Sequence, residues 1–178
     1  MKKIKISKLD AARRQLLTAI RLYFNDGDVV STHTLAAAAL KITQNICDSS
    51  PDLADSVTSW VDAYIKPERK KEFWRKLHET ANFFKHAKND PDAVHEFCPE
   101  ETENILFLAA CQYYNLSWEL LVEMRLFGIW YQLIHPDIFN PPAEAIKLGK
   151  NLYGDDRNKF WREFMPIIQE QGDKGLID

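Results

Sequence analysis

A chain of 178 residues can bury roughly 70% of the surface its unfolded form exposes, so it can fold as one domain without disulfide or metal staples. Its 46% apolar and 12% aromatic residues are those of a globular protein, and a net charge of −3 excludes a bulk polyanion-binding tail. Residues 1–90 carry 16 Lys and Arg against 11 Asp and Glu, residues 91–178 carry 7 against 15, and this split suits complementary docking, a basic face for an anion, or solvated charge.

The N-terminal MKKIKISKLDAARR is basic but lacks the apolar core of a signal peptide. Ser7-x-x-Asp10 is a capping box, and Leu9, Ala12, Leu16, Leu17, Ile20, Tyr23 and Phe24 follow at helical spacing until Asn25-Asp26-Gly27 closes the helix. Ser31 or Thr32 can cap a second helix through about Cys47, with Leu35, Ala38, Ala39, Ile42 and Ile46 on one side. Ser50-Pro51 starts a shorter third helix over Asp52 to about Ile65. Pro67 opens the fourth, which is expected to run to about Ala87.

The segment from Lys88 to Pro99 reads as a loop. Two apolar helices follow, Glu100 to about Leu116 and Ser117 to about Ile134, continuous or broken at Ser117, and they should form the centre. Pro141-Pro142 and Gly154 bracket a short helix, and Asp156 to about Gln171 makes the last, with Pro166 expected to kink it. The reading is an all-α, single-domain helical bundle of about seven or eight helices. No glycine lies between Gly27 and Gly128, which leaves no phosphate-cradling loop, and no nucleotide cofactor is expected. Glu119, Glu123 and Arg125 interrupt the longest apolar stretches, so a soluble cytoplasmic chain without a membrane span is expected. Cys47, Cys98 and Cys111 are widely spaced with no C-x-x-C, and read as reduced thiols.

Chemistry concentrates on the fourth helix. A projection at 100° per residue puts Phe73, Trp74, Leu77, Thr80, Ala81, Phe83, Phe84 and Ala87 on the core half. Arg75, His78, Asn82 and His86 then form one polar stripe, with Lys85 beside it. Two imidazoles, an amide and flanking cations can hold a phosphate and exchange a proton near neutral pH, while a plainly solvated face fits the same pattern. The run Lys66, Arg69, Lys70, Lys71, Arg75, Lys76 offers a backbone-binding strip, but Glu68 and Glu72 interleave with it, and Phe73 and Trp74 fall on the core side. His33, in the first turn of the second helix, is expected to stay neutral at that positive helix end and to approach His78 or His86 if the helices pack; without any E-x-x-H, no metal or other cofactor is assigned.

Asn82-x-x-x-His86, near the end of an amphipathic helix and followed by a polar loop and an apolar helix, resembles the HEPN superfamily of helical domains. Its signature is Arg, a polar residue often Asn, three variable residues, then His; Asn82 and His86 match, and the arginine position falls on Ala81. Many members are metal-independent ribonucleases acting as dimers whose motifs meet in one cleft, and others are silent interaction modules of toxin–antitoxin and defence systems. The resemblance implies a homodimer whose cleft holds His86 as acid and base and Asn82 orienting phosphate; a ribonuclease would have to recruit Arg75 or Lys85 of the opposing chain in place of the lost guanidinium. Within one helix Arg75 lies about 16 Å along the axis from His86 and cannot substitute. The segments KLDAARRQLLTAIRLYF, GDVVSTHTLAAAALKI and ANFFKHAKNDP are also similar to a group of uncharacterised bacterial proteins. The leading expectation is therefore an interaction module that binds RNA phosphate or a partner protein without robust cleavage. A ribonuclease is the alternative, and a metal-dependent bundle enzyme using His33 with His78 or His86 is the third.

Overall fold

The computed structural model describes residues 3–50, 56–64, 66–139 and 142–173. Within them lie eight α-helices and no strand: α1 (Lys8–Phe24), α2 (Val29–Ser49), α3 (Val57–Tyr64), α4 (Pro67–Phe83), α5 (Glu101–Ser117), α6 (Val122–Ile134), α7 (Ala143–Tyr153) and α8 (Arg157–Asp173). None of them is long and apolar enough to cross a membrane.

The ends of α1 follow the local chemistry. Ser7 Oγ accepts the Asp10 N–H at 3.0 Å. At the other end the Gly27 N–H reaches back to the Leu22 carbonyl at 2.8 Å around Asp26, whose φ of 51° fills a left-handed position usually given to glycine. Gly27 itself is needed for clearance, since a Cβ there would stand 2.7 Å from Leu22 Cδ2.

Helix α2 starts two residues earlier than Ser31 because Asp28 is the cap, its Oδ1 accepting the Ser31 N–H at 2.7 Å. It is also buried on two sides, against α1 and against α5, so Thr32, His33, Ala37 and Gln44 join Ala36, Ala39 and Leu40 in the interior. Ile42 and Ile46, expected on the core side, are only half-buried. A helix sandwiched between two others has no single apolar stripe for a one-sided projection to find.

Helices α1, α5, α6 and α8 close around Leu16, Ile20, Phe24, Leu106, Phe127 and Phe160. Phe24 stacks on Trp161 at 4.8 Å and meets Phe127 edge-on at 6.2 Å. The apolar helices α5 and α6 do occupy the centre, but as two rods, because Trp118 caps α5 in the left-handed region at φ 56°. Pro142 and Gly154 flank α7, Asp156 Oδ1 accepts the Lys159 N–H at the start of α8, and Pro166 lies inside α8. Ser50, expected to start α3, is instead the C-cap of α2, its N–H donating to the Cys47 carbonyl at 3.0 Å; α3 is described from Val57, and Pro51 lies outside the described residues, as does Pro141.

Helix α4 opens with Pro67 at its first position but stops at Phe83, four residues short of Ala87. The Lys85 and His86 N–H groups both turn to the Asn82 carbonyl, at 3.2 and 3.0 Å, and end the helix. Beyond it the rings of Phe83 and Phe84 are taken up by the returning loop, Phe83 stacked on His95 at 5.0 Å and Phe84 edge-on to Phe97 at 5.3 Å. Helix α4 rests on α2 and α3, and a cavity separates it from α5.

Candidate functional site

The expected stripe on α4 is not one surface. His86 lies past the helix end, and it is exposed together with Asn82 and Lys85. Arg75 is exposed, but its guanidinium is bonded to Glu79 at 2.5 Å. His78 is half-buried, stacked on Trp74 with centroids 5.6 Å apart and planes 9° from parallel. Burial, then the Lys41 charge, lowers its pKa below the ordinary imidazole range, against a backbone hydrogen bond to Trp74 that raises it. The basic run is largely neutralised within the chain: Arg69 and Lys76 both pair with Glu72, at 3.0 and 3.3 Å, and Lys70 with Asp62 at 2.7 Å.

His33 is buried beneath that surface and not part of it. It is 1% exposed, with Nδ1 3.1 Å from Thr102 Oγ1 and its ring edge-on to Phe84 and Phe97. Burial, followed by the charges of Lys85 and His95, lowers its pKa to about 4, so desolvation keeps it neutral and not the helix end invoked from sequence. The imidazole whose charge bears on it is His95, a residue absent from the sequence-based candidates. His95 Nε2 is 2.9 Å from the buried Thr80 Oγ1, whose hydroxyl donates onward to Glu101 at 3.2 Å. Among the described residues no three His, Cys, Asp or Glu side chains could hold a metal ion together.

A cavity of about 940 Å³ lies against α5, with walls from α2, α3, α4 and the segment after α6. Helix α5 supplies its floor through Glu101, Asn104, Leu108, Cys111 and Asn115, spaced three, four, three and four residues apart and hence in one row. Phe73 and Leu77 of α4, Val57 of α3, and Phe139 form apolar walls. Polar groups sit toward the two ends of this row. Some are already committed: Gln112 Oε1 accepts the Val57 N–H at 2.7 Å, and Asn104 Oδ1 accepts the Tyr131 hydroxyl at 2.6 Å. Cys111 is exposed where it lines the cavity, and the surrounding protein, by displacing water, pushes its thiol up to about 11. Sequence reasoning missed this row. Its signal is the line of Glu101, Asn104, Cys111 and Asn115, three, seven and four residues apart with Leu108 between, on one side of α5.

A second buried polar cluster was equally unforeseen. Glu103, on the opposite side of α5, accepts the Tyr23 hydroxyl at 2.6 Å and lies 3.1 Å from His135 Nε2, while Trp130 Nε1 donates to Tyr23 at 3.0 Å. It ties α1, α5 and α6 together deep in the core.

Comparison of the chain with protein-family models, with curated proteins and with solved structures finds no match in any of the three. The fold defines its class, an all-α bundle, and the cavity against α5 is the feature of that bundle best suited to hold a ligand.

Proposed function

We propose that the chain is a small-molecule-binding bundle whose site is the cavity between α4 and α5. The observation that carries this reading is the cavity itself: about 940 Å³, mostly apolar walls and a few polar groups, within the size range of small-molecule sites. The space is half open to solvent and not an enclosed void, so a ligand can enter it from outside. Cys111→Trp places a large ring in that space. Its folded state should melt at or above the wild-type temperature, while the melting shift produced by apolar small molecules disappears. A variant that shifts with ligand as the wild type does sinks the reading.

A second reading rests on Asn82, Lys85 and His86, exposed side by side at the end of α4 and without a side-chain partner among the described residues. It is the HEPN-like interaction module, a homodimer using these three side chains to bind RNA phosphate or a partner protein without robust cleavage. The engagement of Arg75 by Glu79 and the alanine at position 81 support binding over catalysis. Incubation with structured RNA, with and without EDTA, tests it. Retention lost in Lys85→Ala and His86→Ala supports the module, EDTA-resistant cleavage lost in His86→Ala makes it a ribonuclease, and no retention removes RNA as the ligand.

A further inference from the structure

The cavity's polar groups are not equivalent, and their differences bear on what the ligand must carry. Helices α4 and α5 meet where Thr80 donates to Glu101, near the end of one and the start of the other. One turn back along α4 from that junction is Lys76, and one turn on along α5 is Asn104; both line the cavity. Asn104 has its oxygen occupied by Tyr131, which leaves the amide N–H groups as its free function, with no partner among the described residues. Lys76 is the one cation among the described lining residues, and it forms an exposed 3.3 Å pair with Glu72, the kind of contact that costs little to exchange.

A carboxylate shares this end of the cavity. Glu101 lines the cavity too, but it already accepts from Thr80, whose oxygen in turn faces His95. The start of α5 adds the positive end of a helix dipole. After burial, the Lys85 charge helps hold the pKa of His33 down, and the charges of Lys41 and Lys85 do the same for His78; of these residues only His33 is among the described lining of the cavity. Further along the row, Leu108 and the side chains of Ile105, Phe107 and Phe73 offer only apolar surface. The distance from Glu101 to Asn115 along α5 is about 21 Å, an elongated floor and not a round chamber.

Resting on the ligand-binding reading above, we propose that the ligand is a monocarboxylate amphiphile. Its carboxylate is received by Lys76 and the Asn104 amide, and its hydrocarbon chain lies along the Leu108–Cys111 row. The carboxylate accepts from the Asn104 amide and from Lys76, which exchanges its exposed pair with Glu72 for the ligand, and the chain removes apolar surface from water. Glu101 opposes the bound charge, and this gives the arrangement a signature that a purely apolar site lacks.

The test compares dodecanoate, dodecanol and dodecylamine, all below micellar concentration, by displacement of a fluorescent fatty-acid probe from the full chain. Two charge-assisted hydrogen bonds should make dodecanoate bind at least about tenfold tighter than dodecanol, and tighter still than the amine. Lys76→Ala, at an exposed position, should erase most of that preference by weakening dodecanoate far more than dodecanol, and Glu101→Gln should raise dodecanoate affinity. Equal affinity for the three, or preference for the amine, overturns the carboxylate assignment and leaves the cavity reading standing. Binding by none of them, together with a Cys111 thiol closed to small reagents, overturns both.

Discussion

His33 Nδ1 lies 3.1 Å from Thr102 Oγ1 across the contact of α2 with α5, while the equally buried His33 Nε2 has no partner among the described residues. If Thr102 donates to Nδ1, the single unsatisfied group is Nε2–H; the reverse assignment strands both the Thr102 hydrogen and the Nε2 lone pair. The first tautomer wastes less and is the one assigned.

This buried imidazole makes the fold sensitive to acid. Its folded pKa of about 4 lies below the ordinary 6.5, so between these values the unfolded chain binds the proton that the folded chain refuses. The stabilisation is present above pH 6.5 and is lost as pH falls toward 4, by about 3 kcal/mol at the usual 1.36 kcal/mol per pKa unit. The double variant His33→Phe, Thr102→Val should flatten that part of the urea-denaturation profile relative to wild type. Parallel profiles would show that His33 is not held neutral.

Tyr23→Phe should cost about 2–3 kcal/mol by chemical denaturation, far more than one exposed hydrogen bond. The lost oxygen both donates to Glu103 and accepts from Trp130, so two buried groups lose a partner at once. A cost below about 0.5 kcal/mol would mean that water replaces the hydroxyl, and that the cluster is not dry.

The fold was largely legible because its signals are local. The Ser7 cap, Pro67, Gly154 and the period of α1 each act within a few residues, and each sits where the pattern puts it. The face of α4 was half legible. Thr80, Ala81, Phe73, Trp74 and Leu77 turn inward, but projecting the helix past Phe83 placed His86 on a stripe that the Asn82 carbonyl had already ended. The cavity was not legible, since it exists only where α4 fails to reach α5, a long-range relation that no periodicity encodes. Glu103 was hidden for a similar reason: its partners Tyr23 and His135 are 80 and 32 residues away.

Trp118 is 76% exposed and adopts φ 56°, with Tyr114 as its ring neighbour at 6.0 Å. A left-handed Trp pays a steric cost that glycine avoids, so Trp118→Gly should leave stability unchanged or raise it by about 0.5 kcal/mol. A marked loss of stability would show instead that this ring is packed against a surface, such as a second copy of the chain.

The ligand cavity is tested most directly through Cys111, in a Cys98→Ser background that leaves it the accessible thiol, Cys47 being buried. A small apolar maleimide should modify Cys111 in the folded chain, at a rate that climbs with pH toward the thiol's value of about 11, while a bulky charged maleimide should not. Dodecanoate should slow the small reagent. Complete protection from both reagents would mean that no open cavity exists against α5, and equal reaction with both would place Cys111 on an open surface; either result contradicts the account.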